Sequence, residues 1–81
     1  MNDLLLNVNK IHTTEMGIYR IKKNIDLNDC DVVDYCKKMI TNCKCYIYKH
    51  GKNYYCEFNN VRVTINSYSY TIITAHIIKQ S

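Results

Sequence analysis

Three side chains in the second half of this chain could move protons and hold a phosphate. They are Glu57, Arg62 and His76, within CEFNNVRVTINSYSYTIITAHII. A carboxylate, a guanidinium and an imidazole facing one groove suit metal-free cleavage of RNA. That chemistry needs a base to activate the ribose 2′-OH, an acid to protonate the leaving 5′-oxygen, and a cation for the charge that builds on phosphate. Thr74 would add a phosphate contact beside Arg62, and Tyr48 and Tyr55 would stack unpaired bases. A plainer reading stands next to this one: threonine and histidine are the polar half of an alternating strand whose other half is buried, as in any antiparallel sheet with one wet face.

The elements that must position these residues follow from periodicity. Residues 2–10 are expected to form a short helix with Asn2 or Asp3 near its start. In IHTTEMGIYRIKKNIDL, Thr13 or Thr14 can cap a helix N-terminus, and Met16, Ile18, Ile21 and Ile25 recur at helical spacing. Gly17 weakens this helix slightly and suggests close packing. LNDCDVVDYCKKMIT is the clearest helix, capped by Asn28 or Asp29, with Val32, Val33, Cys36, Met39 and Ile40 on one face. The expected helix covers residues 30–41.

Near Thr41 the period changes to two. KCYIYK, a turn at HGKN, YYCEF, a tight turn at Asn59-Asn60, VRVTIN, a third turn and YTIITAHII read as four antiparallel strands over residues 44–78. The fold class is therefore α+β, with two or three N-terminal helices packed on one face of a four-stranded antiparallel β-meander. Strict alternation puts Val61, Val63 and Ile65 opposite in facing to Arg62, Thr64 and Asn66. It likewise separates Ile73, Ala75 and Ile77 from Ile72, Thr74, His76 and Ile78, and Tyr54, Cys56 and Phe58 from Tyr55 and Glu57. With the helices on the apolar sets, the uncovered face would hold Tyr55, Glu57, Arg62, Thr64, Thr74 and His76, with Tyr46 and Tyr48 from the first strand. A slip of one residue would bury the whole group.

Eighty-one residues form a single domain, 1–81, near the lower limit for one hydrophobic core. Apolar content of 47% excludes disorder as the default. No run approaches the roughly 20 residues of a membrane span. MNDLLLNVNK has an acid ahead of its apolar patch and no small-residue cleavage site behind it, so it is not expected to be a signal peptide, and the expected location is cytoplasmic. The net charge of +4 favours a polyanionic partner without naming one. The five cysteines, at 30, 36, 43, 45 and 56, are odd in number. Only Cys43 and Cys45 are close, so neither a disulfide framework nor a zinc cluster is expected, and no cofactor. His50 lies in the HGKN turn as a loop residue. His12 precedes a helix cap, and Arg20 lies on the helix that follows. The long apolar last strand needs its edge shielded, either by the N-terminal residues or by a second copy, so monomer and homodimer both remain open.

IHTTEMGIYRIKKN at one end and TINSYSYTIITAH at the other resemble a small bacterial family of unknown function. Its pattern has an N-terminal His-Thr-Thr-x-x-Gly-x-x-Arg-Ile, here His12 to Ile21. A central Gly-Lys-Asn-Tyr/Trp corresponds to Gly51 to Tyr54, and a C-terminal Ser-Tyr-Thr-Ile-Ile-Thr-Ala-His to Ser69 to His76. More distantly, helices bearing His and Arg followed by a curled meander ending in Ile-x-Thr-Ala look like the barnase–EndoU–colicin–RelE group of small ribonucleases, many of them toxins. That likeness implies that His12 and Arg20 join the site, because the first helix of such folds borders the cleft of the sheet. The expected function is RNA binding on the open sheet face, with a metal-independent endoribonuclease activity using His76, Glu57 and His12 as acid–base groups and Arg62, Arg20 and Thr74 on phosphate. The competing class is a non-catalytic phage or mobile-element protein that occludes a host protein through its Tyr/Arg-rich face, or a partner of an antitoxin.

Overall fold

The computed structural model describes residues 3–25 and 31–78. The N-terminal segment is not one helix. It makes a single turn, α1 (Asp3–Leu6), and then a 3₁₀ turn over Val8–Lys10. Asn7 interrupts it: its side-chain amide donates to the Asp3 carbonyl at 2.8 Å, the local bond that makes Asn a poor helix-interior residue. Leu4 is carried into the core by this turn.

The paired threonines ahead of α2 (Glu15–Ile25) divide the work. Thr14 is the cap, its hydroxyl oxygen accepting from the Gly17 N–H at 3.0 Å. Thr13 turns the other way and donates to the Ile72 carbonyl at 3.0 Å. A Cβ on Gly17 would collide with that Thr13 hydroxyl, which explains the glycine. In an exposed helix interior, glycine to alanine raises stability by about 1 kcal/mol. Here Gly17→Ala is expected to lower it by about 1 kcal/mol, because the Thr13–Ile72 bond must break. A shift of the urea midpoint to lower concentration checks this.

The third helix, α3 (Val32–Thr41), presents Val32, Cys36, Met39 and Ile40 inward. Its cap is Asp31, whose carboxylate accepts from the Asp34 N–H at 3.0 Å. Asn28 and Asp29, the expected caps, lie outside the described residues. None of the described helices is long and apolar enough to cross a membrane.

Four strands follow: β1 (Tyr46–His50), β2 (Asn53–Phe58), β3 (Val61–Asn66) and β4 (Ile72–Ile77). They pair antiparallel in the order β1-β2-β3-β4, a meander. Asn59 and Asn60 both sit at positive φ, 52° and 66°, the conformation that a two-residue hairpin turn demands and that Asn tolerates. The helices and the inward halves of the strands enclose a core of Leu4, Ile11, Ile21, Ile25, Val32, Ile40, Tyr54, Val63, Ile65, Ile72 and their neighbours.

Strict alternation fails at one place. Thr64 faces Thr74 but Ile65 faces Ile72, so Ile73 is an extra residue in β4. The bulge moves Ile72 into the core beside Ile65, whereas Ile73 is 41% exposed and Ile77 54% exposed. The expected grouping of Ile72 with Thr74 and His76 is thereby corrected. The N-terminal segment closes on the same region: His12 bridges Thr71 in parallel, and Ile72 N–H donates to the His12 carbonyl at 2.7 Å. This shields the first part of the β4 edge.

Cys36, Cys43, Cys45 and Cys56 are free thiols. Burial pushes Cys36 up to about 12 and raises Cys56 as well, so neither is a ready nucleophile. Cys30 lies outside the described residues.

Candidate functional site

The register places two rows of side chains across the open face. Tyr46 faces Glu57, Glu57 faces Arg62, and Arg62 faces His76. One step along the strands, Tyr48 faces Tyr55, Tyr55 faces Thr64, and Thr64 faces Thr74. Directly opposed residues of antiparallel strands share a face, so each row forms a continuous line across the sheet. Glu57, Arg62, Thr74, His76, Tyr48 and Tyr55 are together on one surface. The bulge at Ile73 keeps Thr74 and His76 there even though Ile72 is buried.

The tyrosines form a small platform. Tyr48 stacks on Tyr55 with ring centroids 5.3 Å apart and planes inclined by 21°. Tyr46 lies 5.2 Å from Tyr48, tilted by 36°, and is 64% exposed.

Beside this platform one oxygen of Glu57 accepts two hydrogen bonds. Tyr48 Oη donates at 2.8 Å and Arg62 Nε at 2.9 Å. The Tyr48 hydroxyl, helped by Arg62, holds the Glu57 carboxyl below the usual range, against an opposing effect of partial burial. The same bond raises Tyr48, since ionising the phenol would set two anions together. Arg62 is thus fixed through Nε, and its terminal Nη groups make no hydrogen bond among the described residues. His76, across from Arg62, is half-buried, and its ring makes none either.

A carboxyl lowered in the folded state contributes stability that is present above its unfolded range, about 4.3, and is lost as pH falls through the lower folded value. Glu57→Gln is therefore expected to destabilise the protein at neutral pH. The difference from wild type should shrink as the pH falls through the lowered range of Glu57, below which both forms carry a neutral group. Urea midpoints over a series of acidic pH values check this.

His12 and Arg20 are not brought to this group. The His12 ring is anchored at the opposite end of β4, with Nδ1 2.9 Å from the Lys10 carbonyl and Nε2 3.1 Å from Thr71 Oγ1. A carbonyl can only accept, so Nδ1 donates to Lys10, and in the neutral ring Nε2 accepts from the threonine hydroxyl. Thr71 and His76 are five residues apart along the chain, about 16 Å at the rise of a strand. Arg20 is exposed on α2, whose Gly17, Ile21 and Ile25 face the core. It lines a shallow groove of about 490 Å³ with Glu15, Met16, Tyr19, Lys23 and Asn24, all of the same helix. His12 thus sits at the β4 clasp and Arg20 on the exposed surface of α2, and neither belongs to the rows that cross the open face.

Sequence reasoning missed a second feature. At the Glu57 end of the face, Lys44, Tyr46, Glu57, Phe58, Asn59, Asn60 and Ile78 line a hollow of about 410 Å³. Lys44 could have been found by alternation, since it lies two residues before Tyr46. The hollow itself depends on how the Asn59-Asn60 turn curls, which alternation does not encode. Among the described residues, no group of three or more His, Cys, Asp or Glu is arranged to hold a metal ion.

Residues 5–76 match the model of a family described as Protein of unknown function (DUF3781). The chain belongs to this family. No curated protein and no solved structure matches the chain. The match spans both rows of the open face, from Tyr46 to His76, as well as the clasp at His12. The family description carries no activity, so the chemistry must be argued from the face itself.

Proposed function

We propose that this protein binds unpaired RNA across the open sheet face and cuts it without a metal ion, as an endoribonuclease. The observation that carries the reading is the row Tyr46–Glu57–Arg62–His76 lying against the stacked Tyr48 and Tyr55. Aromatic rings offer stacking surfaces to bases that are not paired. Arg62, fixed by Glu57 through Nε, directs its free Nη donors at a phosphate oxygen. Glu57 and His76 flank it one strand away on either side, about 10 Å apart at the usual strand spacing.

A phosphate seated on Arg62 would therefore lie between a carboxylate and an imidazole. In the proposed reaction the ribose 2′-oxygen attacks phosphorus and its proton passes to the free oxygen of Glu57. The bond from phosphorus to the 5′-oxygen breaks, and that oxygen takes a proton from the His76 imidazolium. The products are a 2′,3′-cyclic phosphate and a 5′-hydroxyl. Arg62 offsets the charge that develops between these two steps.

The test is incubation of the purified protein with total bacterial RNA in EDTA, followed by end-group analysis. Cleavage with cyclic phosphate ends supports the reading. Arg62→Ala is expected to weaken binding and turnover together, and binding of the unaltered protein should fall as salt rises, because phosphate contacts release counterions. RNA that is neither bound nor cut removes the proposal. A host protein occluded by the same face would then be the reading to pursue, since exposed tyrosine and arginine also anchor protein interfaces.

A further inference from the structure

Where the two ends of the chain meet, a relay of side-chain hydrogen bonds lies apart from the open sheet face. His12 Nε2 is 3.1 Å from Thr71 Oγ1, although the two residues are 59 apart in sequence. Thr71 Oγ1 is in turn 2.8 Å from Ser69 Oγ. The other ring nitrogen, Nδ1, is held by the Lys10 carbonyl at 2.9 Å. With the Nδ1 proton spent on that carbonyl, the neutral ring offers Nε2 as an acceptor, and the Thr71 hydroxyl donates to it. The Thr71 oxygen then accepts from Ser69.

This arrangement activates a hydroxyl. A threonine oxygen is a weak nucleophile until a base in contact with it takes its proton, and that base needs a third group to orient it. Here the third group is the Lys10 carbonyl. The His12 backbone is fixed as well. Its N–H donates to the Tyr70 carbonyl at 3.2 Å, and its carbonyl accepts from the Ile72 N–H at 2.7 Å. These two bonds flank Thr71 and set the imidazole beside its hydroxyl.

The other bank of the relay is strained. Tyr70, between the two hydroxyl residues, sits at φ 59°, a left-handed conformation uncommon for a bulky side chain. The preceding turn holds it there. Asn66 Oδ1 accepts from the Tyr68 and Ser69 N–H groups at 2.8 and 3.0 Å, and the Asn66 carbonyl from the Tyr70 N–H at 2.9 Å. In a straight strand, residues two apart stand about 7 Å from each other. The turn at Tyr70 instead brings the Ser69 and Thr71 oxygens into contact. Strain held by its surroundings in this way gathers at functional sites. His12 and Ser69 are exposed and Thr71 is half-buried, so a small molecule can reach the relay from solvent.

We propose that Thr71 is a nucleophile for acyl transfer with His12 as its base, and that the substrate class is an activated carboxylic ester. The side chains of the relay are neutral while His12 acts as base, which suits an uncharged ester better than a phosphate anion. Thr71 Oγ1 attacks the carbonyl carbon, and its proton passes to His12 Nε2. The bond from that carbon to the leaving oxygen breaks, and the leaving oxygen takes the proton from Nε2. Water then attacks the acyl-threonine by the same exchange, which releases the acid and restores the hydroxyl. Ser69 acts as a positioning residue, donating to the Thr71 oxygen. The inference rests on this relay alone and stands whether or not the sheet face binds RNA.

The experiment treats the full chain with 4-nitrophenyl acetate, follows nitrophenolate release, and maps acid-quenched samples by mass spectrometry. The expected product is an acetyl ester on Thr71 that hydroxylamine removes. His12→Ala is expected to slow acetylation of Thr71 by about 10²–10⁴-fold. Thr71→Val keeps the branched shape and is expected to lose the label with an unchanged circular dichroism spectrum, whereas Thr71→Ser should keep it. Acetyl groups confined to lysines or to other residues overturn the proposal. So does labelling of Thr71 at an equal rate in His12→Ala. Because the label is located in the unaltered protein, the result decides even if a variant does not fold.

Discussion

Replacing His76 with alanine is expected to slow RNA cleavage by about 10²–10⁴-fold, the usual loss when a general acid or base is removed. The fold should be unaffected. His76 is half-buried near the end of an edge strand and its ring makes no hydrogen bond among the described residues, so truncation leaves no partner stranded. His50→Ala is the control: it removes an imidazole at the exposed end of β1, and cleavage should stay at the unaltered rate. The measurement is single-turnover formation of the 2′,3′-cyclic phosphate end, paired with a thermal melt of each variant. Equal rates for His76→Ala and the unaltered protein would remove His76 from the chemistry. A parallel drop in His50→Ala would point to a general loss of positive charge rather than to a placed proton donor.

The largest expected effect on stability comes from Ile65. Its side chain is 0% exposed in the central strand β3, between Tyr54 of β2 and Ile72 of β4. Ile65→Ala should cost about 2–5 kcal/mol, since the surrounding side chains are held by three strands and can collapse only partly into the space. Domains of this kind are stable by about 5–15 kcal/mol in total. For a chain of this size each kcal/mol moves the melting temperature by about 4–8 °C, so the variant should melt some tens of degrees lower or be partly unfolded at 25 °C. Leu6→Ala, at a residue 62% exposed on α1, should change stability by less than about 0.5 kcal/mol. Calorimetry on both variants separates a loss of core from a loss of apolar composition.

The parts of the fold that were legible in the sequence are those governed by local period. The switch from Val32–Thr41 to alternating strands was visible because helix and strand impose different spacings on apolar residues. The common facing of Tyr55, Glu57 and Arg62 was visible for the same reason, as was that of Thr74 and His76 within β4. What alternation could not give was the phase of Ile72. An extra residue in a strand has no composition of its own, and Ile72 and Ile73 are identical in type. The split of residues 3–10 into two turns was also hidden, since it depends on where the Asn7 amide finds a carbonyl. His12 and Arg20 were misplaced for a different reason. Their positions depend on which side of the sheet α2 packs against and on how the chain reaches β4, and both are properties of tertiary packing rather than of spacing.

The clasp between the two ends of the chain has a consequence for the order in which the protein assembles. The hairpins β1–β2 and β2–β3 join residues close in sequence, whereas Thr13 and Ile72 are 59 residues apart. Closing so long a loop costs about 2 kcal/mol more in chain entropy than closing a hairpin of a few residues. The meander is therefore favoured to form first, and the His12–Thr13 segment to dock onto a strand already in place. Bonds made after the rate-limiting barrier do not hasten folding; they slow unfolding. On that reasoning, His12 and Thr13, just ahead of α2, determine less how quickly this chain finds its structure than how long it keeps it.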